Sequence, residues 1–339
     1  MTRVNAQITN LRSLRQQLTA AVADSKISRE EFKALQAATK KVDAAGNRML
    51  ERQGAPSIAV AAQVQRAMKK GTLPQDAAAL AASIRQSILD MRRIEQQMAA
   101  RDPLKKLPGR WHPAFQGVKT RTIVRDGMRV HLVAVDLLKA HLQTNTRGER
   151  GRTVSGQAKA HGAEIAINGD FFSFANYQPS GHAKADGKPW PSTADSWEPF
   201  VAFGGQRVQV LAGGKDVPAW ADNAVSGRPM VLDAGKVVTE YREPTHAGVM
   251  PRTGVGLSQN GRLMLLAVVD GRSTSSRGAS AQELGRILKQ NGAHTGIALD
   301  GGGSSTMYVK SRGVVNRPSD GAERKVSNAL MVQARGGRR

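Results

Sequence analysis

The chain has 339 residues, 40% of them hydrophobic, enough for a packed core in two domains or in one large domain with an extension. Aromatic residues make up 4%, there is no cysteine, and the formal net charge is +23. Disulfides, thiolate metal sites and a cysteine nucleophile are excluded, and the spread of positive charge favours a polyanion: nucleic acid, a phosphorylated glycan or an anionic envelope polymer.

The opening stretch, MTRVNAQITNLRSLRQQL, has no apolar core of signal-peptide type. No run reaches the roughly 18 apolar residues of a membrane span. A cytoplasmic location is the default expectation, with non-Sec export or carriage as virion cargo as the alternatives.

Residues 1–100 read as helical. In ITNLRSLRQQLTAAV, the residues Ile8, Leu11, Leu14, Leu18 and Val22 recur at steps of three and four, an amphipathic stripe. SREEFKALQAATKKV opens on Ser28 with Glu31 three residues later, a capping box. LPQDAAALAASIRQSILDMRRIEQQM puts Pro74 in a first turn and continues as a stripe of Ile84, Ile88, Met91, Ile94 and Met98. Three or four helices without a catalytic constellation predict docking, self-association or delivery as the role of this region. ADSKISREEF echoes the exit half of a calcium-binding helix–loop–helix. It lacks the alternating carboxylates and central glycine of such a loop, so a plain helix–turn–helix is expected. RDPLKKLPGRWHPAF, proline-rich and basic, predicts a linker over 101–117.

From residue 118 the texture changes to short β-rich runs, among them MRVHLVAVDL, AEIAIN, PFVAFG, TGVGLS, GRLMLLAVVD, TGIALD and NALMVQA. Asp126-Gly127 and Asn260-Gly261 supply hairpin turns between some of them. Helices are predicted over about 153–161 and 280–292, the second opened by Ser280 and Glu283 as a capping box and stopped by Gly292. The expected fold class is α+β: a catalytic domain at 118–336 with a mixed β-sheet and packed helices, preceded by the all-α region at 1–100.

Several of these strands end on a polar residue plus glycine. IALDGGGSSTMYV carries Asp300, Gly301, Gly302, Gly303, Ser304 and Ser305; AINGDFFSF carries Asn168, Gly169 and Asp170. VMPRTGVGLS carries Arg252 and Thr253, and LLAVVDGRS ends on Asp270, Gly271 and Arg272. Glycine lets backbone approach a ligand and aim N–H groups at an anion. No lysine follows the triple glycine, which excludes the phosphate loop of nucleotide hydrolases. A strand-like segment follows where the dinucleotide fingerprint needs a helix.

MPRTGVGLSQNGRLMLLAVVDGRS, GASAQELGRILKQNGAHTGIALDGGGSSTMYV and RKVSNALMV, with AEIAINGDFF and SGRPMVLDAGKVV ahead of them in order, resemble the phosphodiester glycosidase family over about 120–335. The resemblance implies hydrolysis of a sugar-1-phosphodiester to sugar and phosphomonoester, with N-acetylglucosamine as a candidate sugar. It places the family's motifs on Asn168-Gly169, Arg252-Thr253, Asp270 to Arg272, Asp300 to Ser305 and Asn328, with Arg324 just before the last. Many relatives have a histidine before Pro-Arg-Thr, where this chain has Met250. His246 is near enough in sequence to replace it, although a satisfied surface histidine is the favoured reading.

Cleavage of a sugar–phosphate bond calls for a carboxylate against an oxocarbenium-like transition state and for cations or N–H groups on the phosphate. Asp300, Asp270 and Arg252 are therefore the catalytic candidates, and Asp300 the first of them. Asn168, Gly169, Asp170, Thr253, Arg272, Gly301, Gly302, Gly303, Ser304, Ser305, Arg324 and Asn328 are the substrate-binding candidates. Which aspartate serves as nucleophile, acid or base stays open, as does the place of Glu198; Glu283 is assigned to helix capping. No cofactor is required, and a divalent cation near Asp270 or Asp300 is an option that no spacing demands. The expected partner is a phosphate-linked glycan or another anionic sugar phosphodiester. A nucleotide-sugar or nucleotide-type phosphodiester is the alternative substrate, and a non-catalytic cargo protein binding a phosphoglycan the alternative class. Nucleic acid is disfavoured by the scarcity of stacking aromatics and the lack of a recognisable module.

Overall fold

The computed structural model describes residues 2–21, 28–53, 56–99, 102–191, 197–205, 207–241 and 243–334. The chain divides into two compact units, Met1–Arg101 and Asp102–Arg339. The first contains helices α1 (Thr2–Ala21), α2 (Arg29–Gln53), α3 (Pro56–Lys70) and α4 (Leu73–Ala99). The predicted stripes face one another: Leu11, Leu14, Leu18, Leu35, Ile84 and Met91 are each at most 1% exposed in one core. Gln7, buried in that core, donates from Nε2 to the carbonyl of Val42 at 2.8 Å and ties α1 to α2. Ser28 and Glu31 form the capping box on α2, with Glu31 N to Ser28 Oγ at 3.2 Å. Val22, residues 23–27 of the calcium-loop echo and the side chains of Ile94 and Met98 lie outside the described residues.

The second unit is built on an eight-stranded sheet. Its strand order is His112–Phe115, Val118–Arg125, Met128–Asp136, Leu263–Val269, Arg252–Leu257, Thr295–Ala298, Met230–Asp233 and Lys236–Val237. Two five-stranded sheets and a two-stranded ribbon complete it, and among the described residues every strand pair is antiparallel. Leu263–Val269 is buried at all seven positions and Arg252–Leu257 at all six, because both faces of these central strands are covered. One face packs against the five-stranded sheets through Val133, Val255, Ile297, Ile167 and Leu330. The other packs Leu265, Ala267 and Val269 against helix α6 (Ala281–Gln290), which follows the short α5 (Val154–Ala160) in the chain. The N-terminus of α6 carries the predicted capping box, with Glu283 N to Ser280 Oγ at 3.1 Å and Ser280 N to Glu283 Oε2 at 2.8 Å.

Within the segment expected as a linker, Pro103–Lys105 form a 3-10 turn, Leu104 is buried in the second core, and His112–Phe115 form the edge strand. Among the described residues no helix is long and apolar enough to cross a membrane.

Candidate active site

The sheet register gathers the polar strand ends at one end of the unit. Arg252 pairs with Val269, so Asp270 lies beside it, and Gly254 pairs with Ala298, two residues ahead of Asp300. Asn168 closes the strand Ile165–Asn168 of a five-stranded sheet, opposite Ala329. The two sheets meet there directly, because Asp300 N donates to the carbonyl of Gly169 at 3.0 Å, while Gly302 N donates to that of Pro251 at 2.9 Å at the end of its own sheet.

Asn168 is fully buried and works as a knot rather than as a lining residue. Its Nδ2 donates to the carbonyl of Asp300 at 2.7 Å, while its Oδ1 accepts from Thr253 Oγ1 at 2.8 Å and from Thr306 N at 3.1 Å. Behind it, Asn328 Oδ1 accepts from Asp170 N at 2.9 Å, and Asp170 accepts from Ser226 N at 2.8 Å. Burial holds the Asp170 carboxyl well above the usual range, against the opposing hydrogen bonds of Ser226 and with a further push from the charge of Asp300. Asp170 therefore folds most easily as the neutral acid. An Asn168→Ala variant is expected to lower kcat on a working substrate by about 10–100-fold and to lower the melting temperature, since three buried partners lose their bond. Steady-state kinetics beside a melt separate the two effects, and an unchanged kcat would reduce Asn168 to a purely structural role.

In front of the knot opens a cleft of about 260 Å³. Asp300 and Gly301 to Gly303 form one wall, and Arg252, Arg272, Arg228 and Arg324 surround it with Phe171, Glu243, His246 and Met250. Burial raises the Asp300 carboxyl to about 6, against the lowering effects of Ser304, Arg324, the Gly301 N–H and Arg228. A carboxyl near that value passes between its two states around neutral pH, as a catalytic group should.

The arginines are unequal. Arg252 is 4% exposed and donates to three carbonyls, those of Ala279 at 3.1 Å, His246 at 3.0 Å and Gly248 at 2.8 Å. Arg324 donates to Asp320 at 2.6 and 2.9 Å and to Ser304 Oγ at 3.3 Å. Arg228 pairs with Glu198 and, from Nε, with Glu243 Oε1 at 3.3 Å, and lies over the rings of Phe171 and Trp197. Arg272 is exposed, sits in the left-handed region at φ 54°, and makes no hydrogen bond or ion pair with a described residue. Among the described residues of the lining it is the cation with donors to spare for an anion. Arg272→Ala is expected to raise KM for an anionic substrate by about 10–100-fold with little change in kcat, one charge-assisted contact being worth roughly 1.5–3 kcal/mol. A KM that does not move would remove the substrate phosphate from Arg272.

Asp270 stands outside the cleft lining. It is 3% exposed, and its carboxylate accepts from Arg317 N at 2.8 Å and faces His131 Nε2 at 3.2 Å. Its carbonyl accepts from Ser276 Oγ at 2.6 Å, so it organises the hairpin that presents Arg272. Thr253, Ser304 and Ser305 are buried, Thr253 and Ser304 supporting Asn168 and Arg324. The triple glycine is required partly by the protein itself. Gly302 has φ 57°, and a Cβ on Gly303 would lie 2.0 Å from Asp320 and 2.1 Å from Arg324. Among the described residues no group of three or more His, Asp or Glu side chains is placed to hold a metal ion.

The sequence reasoning missed Arg228, Glu243 and Phe171. Their signal was weak: Arg228 precedes Pro229 within the SGRPMVLD block, and Glu243 and His246 share the turn EPTH, each an ordinary loop pattern. His246, favoured as a surface residue, is 5% exposed and lines the cleft, with Glu243 Oε2 at 3.7 Å from Nε2. Burial pushes its imidazole down, Glu243 opposes this, and the charges of Arg252 and Arg228 reinforce it.

The profile of the phosphodiester glycosidase family matches residues 161–333. The SPbeta prophage-derived uncharacterized protein YomE of Bacillus subtilis (strain 168) is 37% identical over 82 residues, 24% of this chain and 12% of that protein. The chain thus spans a minor part of that relative's length. The catalytic domain of zebrafish N-acetylglucosamine-1-phosphodiester alpha-N-acetylglucosaminidase, auto-inhibited by its pro-peptide, superposes with a TM-score of 0.54 at 22% identity, over 64% of this chain and 82% of that one. A hypothetical protein from Synechocystis superposes with a TM-score of 0.56 at 16% identity, over 67% of this chain and 64% of that one. At these identities the two structures speak for the fold.

Proposed function

Since the chain belongs to the phosphodiester glycosidase family, we propose that it hydrolyses the glycosidic bond of a sugar-1-phosphodiester, releasing the sugar and a phosphomonoester. The observation that carries this reading is the meeting of one raised carboxyl, Asp300, in a single cleft with Arg272, which pairs with none of the described residues. A carboxylate there stabilises or captures positive charge at the anomeric carbon, and the cation holds the phosphate. A phosphomonoester has a second pKa of about 6, so it departs without the proton that a sugar alkoxide would need. Arg324 and Arg228, though paired within the protein, add positive field on the same side.

N-acetylglucosamine is the first sugar to try, on the strength of the zebrafish enzyme's name. We assign the helical unit to docking, self-association or delivery. The test is hydrolysis in ¹⁸O-labelled water. Label in the sugar and none in the phosphate is the expected result, since the C–O bond breaks. Label in the phosphate, with sugar-1-phosphate as product, would make the protein a phosphodiesterase instead.

A further inference from the structure

Glycoside chemistry uses two carboxyl groups, and the sequence offers Asp270 beside Asp300. Asp270 is occupied by Arg317 N and His131 away from the cleft. Asp170 and Glu198 are at most 1% exposed and do not line it. Among the described residues, Asp300 and Glu243 are the two carboxylates in the lining.

Glu243 is held at both oxygens and keeps access. Oε1 is 3.3 Å from Arg228 Nε, and Oε2 is 3.7 Å from His246 Nε2, with the side chain 38% exposed. The Arg228 guanidinium is itself fixed, 4.5 Å from the Phe171 ring centre, 5.3 Å from that of Trp197, and paired with the buried Glu198. His246 is anchored through its carbonyl, which accepts from Arg252. A partly exposed carboxylate oriented from two sides is the arrangement a proton acceptor needs.

We propose that Glu243 is the second catalytic carboxylate, the general base that takes a proton from the attacking water, with Arg228 and His246 as its positioning residues. This rests on the hydrolytic reading above. The leaving phosphate departs without an acid, so the proton transfer that limits the reaction is removal of one from water. As the new C1–O bond forms, the water proton passes to the Glu243 carboxylate. The bond from C1 to its leaving oxygen breaks with its electron pair going to that oxygen, which belongs to phosphate or, if Asp300 has captured the sugar, to the Asp300 carboxylate. Glu243 then returns its proton to solvent.

The test compares wild type, Asp300→Asn, Glu243→Ala and the isosteric Glu243→Gln on an N-acetylglucosamine-1-phosphodiester, with and without sodium azide. Glu243→Ala and Glu243→Gln are expected to lose about 10²–10³-fold in kcat, as for other general bases. Azide, which attacks without losing a proton, restores turnover of Glu243→Ala and yields the glycosyl azide. Melting curves close to wild type exclude misfolding, and Glu243→Gln covers the case in which the alanine variant unfolds. A wild-type kcat in both Glu243 variants, or a loss that azide leaves untouched, overturns the base assignment alone, provided that Asp300→Asn is dead. A wild type that releases no sugar overturns the hydrolytic reading and this inference with it.

Discussion

Asp300→Asn is expected to lower kcat by about 10³-fold or more, some 4 kcal/mol of transition-state stabilisation, while leaving the protein more stable than wild type at neutral pH. Burial raises the Asp300 carboxyl from 3.8 to about 6. On the proposed reading the working form is the carboxylate, so wild-type activity is expected to rise as pH climbs through about 6 and then to level. Stability runs the other way. The folded state keeps its proton to about 6 whereas the unfolded chain releases it near 3.8, so stability falls as pH rises between those values. The ionised carboxyl costs the fold about 1–3 kcal/mol at neutral pH, the lower figures allowing for its partial exposure. Asparagine removes that cost. Melts at pH 7 should favour the variant by a few degrees, with the difference gone by pH 4. Equal melting at both pH values, or surviving activity, would take the chemistry away from Asp300.

The largest loss of stability is expected from Arg262→Ala. Arg262 donates from Nε and Nη2 to the two oxygens of Asp136, each at 3.0 Å, where Asp136 is fully buried and Arg262 only 6% exposed. Removing the guanidinium strands a carboxylate in the core, worth about 3–5 kcal/mol. Lys139, 3.6 Å from Asp136, moderates this toward the lower end. For a unit of this size the melting temperature should fall by roughly 10 °C. The pair sits at the far end of Leu263–Val269 from Arg252 and Asp270, six residues or about 20 Å along the strand, so the folded fraction should keep its kcat. The double variant Asp136→Asn with Arg262→Met should recover part of the loss. A single variant that melts within a degree or two of wild type would show that solvent reaches the pair.

Periodicity made the helical unit legible, because Leu11, Leu14, Leu18 and Ile84 must share one face of each helix and that face is the core. The cap on α6 was legible for the same local reason: Ser280 and Glu283 bond within four residues. The α+β class followed from short β-rich runs interleaved with two helices. The roles of residues at the strand ends were not legible. Asn168, Asp270 and Asp300 each follow an apolar strand and precede glycine, yet only Asp300 faces the cleft. What separates them is pairing across 85 to 139 positions of chain, with Asn168 claimed by Thr253 and Asp270 by His131. Glu243 was hidden for the converse reason, since its neighbours come from another loop and a turn with no distinctive composition.

The bond from Asp300 N to the Gly169 carbonyl, doubled by Asn168 Nδ2 on the Asp300 carbonyl, stitches one sheet to the other at the residue proposed to react. Relative sliding of the two sheets would therefore strain the bonds that seat Asp300. The Asp300 amide proton, locked in that seam, should exchange with solvent no faster than the two sheets part.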